Sequence, residues 1–361
     1  MNTRIESVDI LRGLTIVAMI VVNTPGSWNT VYTPLLHANW HGLTPTDLVF
    51  PFFLFVVGIS IYFAYKNKPK TKFTYQKIVI RSLKLIGLGV FLNLFLPYMP
   101  FFNNFETLRI PGVLQRIGIV FFFTAILYLN FNLKTLAGIG VSILLGYWLF
   151  LGFMPFQNGH FPTFDRALNN WANYIDLTLL GTHMWQVDYD PEGVISTLPS
   201  IVTCISGLLI GRQLDNLKDV KFLFMSASGF LVSGYVFNEW FPINKALWSS
   251  SFVLVTSGYA TLVLAIIYYF RDLKQLKFGS VFKYVGMNAI TIYFLSSFIS
   301  KTMYLTKIRD QSNMHSYIYE TLFVHSFYSA KLASLLYAIV VVLFYLGLGY
   351  LLFKKKIIIK V

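Results

Sequence analysis

The chain has 361 residues, of which 56% are apolar, 18% aromatic and only 12% charged, with a formal net charge of +14. A soluble domain carries about a quarter charged residues, so this composition excludes one and describes a polytopic membrane protein. One cysteine excludes an intrachain disulfide, and the basic excess lies between apolar runs in a pattern that gives nucleic-acid binding no support.

A membrane-crossing helix needs about 20 mostly apolar residues. Ten runs qualify, near 8–24, 47–65, 77–98, 111–130, 134–154, 192–211, 220–241, 246–270, 281–303 and 330–353. Lipid leaves no partner for free backbone groups, so the runs read as helices. The fold class is therefore all-α, one transmembrane bundle over 1–361. The first run contains Asp9 and Arg12 at a spacing that lets them pair. No small-residue cleavage site follows it, so it is expected to stay as a retained first helix. Asn23 lies at its far end. The loop from Thr24 to Thr46 holds no Lys, Arg, Asp or Glu. Its end, "LLHANWHGLTPTDLVFPFFLF" (Leu35–Phe55), packs His37, Trp40, His41 and Asp47 around the mouth of the second run. Thr46 or Asp47 is placed to cap that helix. Gly87 and Gly89 in the third run read as close-packing positions.

"RIPGVLQRIG" sets Gln115 and Arg116 inside the fourth run. A buried arginine there forms an interhelical ion pair, snorkels to the interface, or meets an anionic ligand. The long connection over 155–191 is rich in Asn, Asp, aromatics and His. That mixture suits a sugar platform and equally an interfacial aromatic belt. "YDPEGVIST" puts Asp190 and Glu192 at the mouth of the sixth run, and Cys204 lies within it as a small buried hydrophobe. "FPINKALWSSS" (Phe241–Ser251) is a tight connection carrying Asn244, Lys245, Trp248 and Ser249 to the next helix start. Asn288 is a polar residue within the ninth run, and a second long connection covers 304–330.

Lysine and arginine set orientation. With the N-terminus in the cytoplasm, that side collects Arg4, Arg12, Lys66 to Lys84, Lys134, Arg212 to Lys221, Arg271 to Lys283 and Lys354 to Lys360. That is 21 of the 29 basic and 5 of the 15 acidic residues, a net +16 inside against −2 outside. Ten spans return the C-terminus to the cytoplasm, where the basic loops meet anionic lipid. All six histidines then fall outside.

The chemistry concentrates at His37 and Asp47. A neutral imidazole takes a proton near neutral pH, and a carboxylate fixes its tautomer and stabilises the imidazolium. His37 and His41 at i, i+4 would share a face if the segment were helical. No third ligand follows at metal spacing, so no metal site is expected. No phosphate loop, dinucleotide fingerprint or nucleophile elbow is present.

"SVDILRGLTIVAMIVVN", "HANWHGLTPTDLVFPFFLFVVG", "RIPGVLQRIGIV", "YDPEGVISTLPSI", "PINKALWSSSF" and "VGMNAITIYF" follow one another in order. Together they resemble the catalytic membrane domain of the heparan-α-glucosaminide N-acetyltransferase family, which has bacterial NagX-type homologues. The resemblance runs from about Arg4 to the C-terminus, although the 155–189 loop has no matching block. It implies an enzyme that takes acetyl from cytosolic acetyl-CoA and delivers it to a glucosamine-type amine on the far side. The family's active-site histidine falls on His37, and the matching Asn and Asp on Asn23 and Asp47. Arg116, Gln115, Asn244, Lys245, Ser249 and Asn288 are candidates to line the path of the anionic CoA or support its thioester. Trp40, Asp190 and Glu192 are candidates for the sugar. The resemblance also implies a homodimer, and a bacterial-type member would sit in the inner membrane. Two other readings are an amino-sugar transporter and an O-acyltransferase acting on envelope polysaccharide.

Overall fold

Each of the ten apolar runs becomes helical in the computed structural model, which describes residues 5–156, 159–216, 219–309 and 312–359. Arg4, Lys218 and Lys360 of the charge count lie outside the described residues. The helices are α1 (Glu6–Asn23), α2 (Val49–Tyr65), α3 (Lys72–Leu94), α4 (Val113–Asn130), α5 (Leu133–Phe153), α6 (Trp171–Leu180) and α7 (Thr197–Asn216). There follow α8 (Val220–Phe237), α9 (Ser250–Tyr268), α10 (Ser280–Gly286), α11 (Ala289–Leu305), α12 (Met314–Leu322) and α13 (Ala330–Lys354).

Seven helices among the described residues are long and apolar enough to cross a membrane, against the ten runs expected. The difference has a physical cause in each case. Helix α1 carries Glu6, Asp9 and Arg12, and α3 carries Lys72, Lys77, Arg81 and Lys84. The ninth run breaks at Met287–Asn288 into α10 and α11, each too short alone. At that break Asn288 donates to the carbonyl of Ile357 (3.0 Å) and accepts from the N–H of Ile359 (2.9 Å). The end of the chain is thereby fastened to the gap.

The long connections are more ordered than the sequence shows. The first contains α6, and the second a short antiparallel ribbon, β1 (Lys307–Arg309) with β2 (Ser312–Asn313), followed by α12. Residues 36–44 contain no helix, so His37 and His41 share no helical face.

Two reciprocal glycine contacts bring the central helices together. A Cβ on Gly58 of α2 would lie 1.8 Å from the Cys204 carbonyl oxygen, and one on Gly207 of α7 would lie 1.9 Å from that of Phe55. Gly13 and Gly286 repeat the arrangement between α1 and α10, at 1.8 Å and 1.9 Å. Gly89 behaves as expected, tight against Gln115, whereas Gly87 has nothing within 4 Å.

The bundle has two distinct ends. At one, Glu6 pairs with Arg271 and Lys283 while Asp272 accepts from the N–H groups of Glu6 and Ser7. Lys66, just past α2, meets Asp215 of α7 at 2.7 Å there. Higher in α1, Arg12 bonds Asp9 at 2.8 Å, as their spacing predicts. The opposite end carries the His37 loop, α6 and the turn between α8 and α9.

Candidate active site

The loop after α1 and the turn before α9 are 200 residues apart in sequence and meet as backbone. His41 pairs with Asn244 in an antiparallel bridge, and the Gly42 N–H donates to the Ile243 carbonyl at 2.8 Å. This contact sets His37 beside Lys245.

Asp47 is the anchor. It is 1% exposed and closes a capping box with Thr44 at the turn that starts α2. Its Oδ2 accepts from the N–H groups of Ala38 (3.1 Å) and Thr44 (3.0 Å). Its Oδ1 lies 2.7 Å from His37 Nδ1. A carboxylate can only accept, so Nδ1 carries the proton and the neutral ring keeps its lone pair on Nε2. The cap and the imidazole partner are thus one residue. The His37 side chain is 49% exposed, so an incoming molecule can reach Nε2.

Lys245 completes the group. Its Nζ is 3.0 Å from Nε2, 3.1 Å from Nδ1 and 4.0 Å from Asp47 Oδ1. Burial lowers its affinity for a proton, against the pull of Glu192 and Asp47, with Arg116 adding to the lowering. The turn that holds it is internally bonded. Asn244 donates its N–H to Ser249 Oγ (3.0 Å) and accepts from the Leu247 N–H (2.8 Å). Ser249 also caps α9 through the Phe252 N–H. Asn244 and Ser249 are fully buried and spend these atoms on the turn. Trp248 holds a left-handed backbone (φ 51°) and donates to Thr203 at 3.1 Å. Asn288 lies at the other end of the bundle, bound to the chain's last described residues.

The first long connection closes over the histidine loop. Trp40 donates to the Phe164 carbonyl (2.8 Å) and meets Tyr189 edge-on, while His41 reaches Asp165 at 3.0 Å. Arg166 pairs with Asp188 at 2.6 Å and lies over the Tyr189 ring. Asp190 is 1% exposed and accepts two bonds from Arg109, which also bonds Glu192 at 2.5 Å. Arg109 went unnoticed in the sequence because its partners are 81 and 83 residues away, although it opens the "RIPG" block that pointed to its neighbours. Asp176 of α6 was missed too. It is buried, accepts from the Val194 N–H at 2.8 Å, and is pushed up to about 6 by burial.

Arg116 is neither snorkelled nor salt-bridged among the described residues. It is 1% exposed, donates from Nη2 to Gly193 and Ser196, and lies over Trp248. Its Nε and Nη1 are buried without a partner among the described residues. Arg116 lines a mainly apolar cavity of about 630 Å³ with Gln115, Glu192 and Gly193, and a second cavity of about 560 Å³, whose lining lacks Arg116, opens between α1, α3, α4 and α11, lined by Asn23, Gln115, Arg109, Tyr293, Ser297 and Lys301 among others. Asn23 thus faces this cavity, whose described lining does not include His37. No group of three or more His, Cys, Asp or Glu able to hold a metal occurs among the described residues.

The family model described as heparan-alpha-glucosaminide N-acetyltransferase, catalytic, matches residues 4–222. The chain is 32% identical to the heparan-alpha-glucosaminide N-acetyltransferase of Homo sapiens over 352 aligned residues, covering 80% of this chain and 52% of that protein. Against the Mus musculus protein of the same name it is 33% identical over 353 residues, covering 80% and 53%. The chain therefore spans about half the length of the curated relatives it matches.

Proposed function

The chain belongs to the heparan-alpha-glucosaminide N-acetyltransferase catalytic family, and on that premise we propose that it transfers acetyl from acetyl-CoA to the amine of a glucosamine-type sugar across a membrane. The observation that carries this reading is the buried Asp47 holding the Nδ1–H of a reachable His37. That arrangement prepares Nε2 to take one proton.

In this mechanism the acceptor nitrogen attacks the thioester carbonyl while Nε2 takes the nitrogen's proton. The C–N bond forms, the C–S bond breaks, and the sulfur takes that proton from Nε2 to leave as CoA thiol. The same Nε2 would carry the acetyl group in a two-step route. The two routes separate in rapid mixing: acetyl-His37 gives a burst of CoA release before any sugar is added, and sugar added afterwards takes up that acetyl group. Acetyl-CoA is the co-substrate here, and its amide-rich arm finds hydrogen-bonding partners in the cavity whose lining includes Asn23, Gln115, Ser297 and Lys301. The free Nε and Nη1 of Arg116 are donors for an anionic or carbonyl group. The docked 155–191 connection, with Trp40 and Tyr189 packed edge-on, is the surface we assign to the sugar.

We also assign all ten apolar runs to the membrane, with α10 and α11 together as the ninth span. Both termini are then cytoplasmic and His37 outside. The contacts of Glu6 with Lys283 and of Asn288 with Ile357, which gather both ends of the chain at one end of the bundle, support an even number of crossings.

The test is CoA release by purified protein given acetyl-CoA, with and without glucosamine, for wild type and His37→Ala. Glucosamine-dependent release that disappears in the variant is expected. A folded His37→Ala protein that works at the wild-type rate overturns the assignment. Glucosamine uptake into vesicles that needs no acetyl-CoA would point instead to a transporter.

A further inference from the structure

Lys245 stands where the acceptor must stand. A general base takes protons from atoms about 2.6–3.2 Å away, and Lys245 Nζ lies 3.0 Å from His37 Nε2. Nζ is nearly equidistant from Nε2 and Nδ1 (3.0 and 3.1 Å), so it rests against the imidazole, one small swing of the lysine stem from the Nε2 lone pair that Asp47 leaves free by holding Nδ1–H. The lysine is also held in place. Its side chain is 18% exposed, and its carbonyl accepts from the Trp248 N–H (3.1 Å) within the bonded turn from Asn244 to Ser249. A desolvated amine loses its proton more readily than a surface lysine, which is how buried lysines become nucleophiles. The protein thus presents its own amine to its own base, at the distance at which a sugar amine would react.

We propose that Lys245 is an acetylation site of the protein itself, filled from acetyl-CoA when no acceptor sugar is present. The step rests on the acetyltransferase reading above. The neutral Nζ attacks the thioester carbonyl, and the adduct passes its extra N–H proton to His37 Nε2. The C–S bond then breaks, and the departing sulfur takes that proton to leave as CoA thiol. The product is an uncharged amide that fills the acceptor position and removes the cation beside Asp47. Acetylated protein is therefore inactive, and an acceptor sugar protects against the modification by occupying the same place.

The experiment incubates the full chain in detergent with acetyl-CoA alone, then maps acetylated peptides and measures residual turnover with glucosamine. The expected result is acetyl on the peptide bearing Lys245, with activity falling in proportion to its occupancy. Glucosamine present from the start should suppress both changes. His37→Ala should leave Lys245 unmodified, and Lys245→Arg should show no time-dependent decline from its own starting rate. Protein that turns over glucosamine while Lys245 stays unmodified, or is acetylated only at scattered surface lysines, overturns the inference and leaves the acetyltransferase reading intact. Protein that neither turns over nor is modified overturns both.

Discussion

At the scale of the residue, the site turns on Asp47, which serves two neighbours at once. One oxygen holds His37, and the other ties down the backbone of Ala38 and Thr44. Asp47→Asn keeps an acceptor for the turn but sets an amide against Nδ1, favouring the wrong tautomer. Turnover is expected to fall by about 10²–10⁴ with little change in thermal unfolding, measured on the same detergent sample. Asp176 gives a prediction in pH. Its carboxyl rises from 3.8 to about 6 in the fold, with Arg116 and Asp190 the charges acting on it. The folded state therefore holds a proton the unfolded chain has lost, and stability from this group declines as pH rises from about 4 to about 6. Asp176→Asn should remove that decline, so the difference in melting temperature between variant and wild type should grow across this interval and level off above it. His37 and Asp47 were legible in sequence because they are ten residues apart on one capped turn. Lys245, 208 residues from His37, was legible only as a polar residue near a helix start.

At the scale of the element, helix positions followed from apolar length alone, since lipid permits little else. Close packing did not, because a glycine in a membrane helix looks the same whether it meets a neighbour or open space. Gly207 would place a methyl 1.9 Å from a backbone oxygen of α2, whereas Gly138 of α5 has nothing within 4 Å. Backbone cannot move aside as a side-chain tip can. Gly207→Ala is expected to lower the melting temperature sharply or abolish folded protein, and Gly138→Ala to leave it unchanged, as read by thermal unfolding in detergent. The break at Asn288 was likewise hidden. The apolar run continues through it, and its partner is the backbone of a tail some 70 residues later.

At the scale of the whole molecule, charge separates the two ends of the bundle, and its single cysteine, Cys204, is buried. Cysteines introduced one at a time therefore report sidedness cleanly. In intact cells a membrane-impermeant maleimide should label Val187→Cys, whose position is 88% exposed at the His37 end, and should label Lys356→Cys only after lysis. The opposite pattern would invert the assigned topology. The sequence by itself determined the helical membrane class, the places of the helices and the Asp47–His37 pair, because hydropathy and short-range spacing act along the chain. Tertiary structure alone decided that Lys245 reaches His37, that Arg109 clamps Asp190 and Glu192, and that the N–H and side-chain oxygen of Asn244 and the hydroxyl of Ser249 serve their own turn. Those pairings join residues three to two hundred positions apart, and only the packed bundle fixes which polar groups finish within 3 Å of one another.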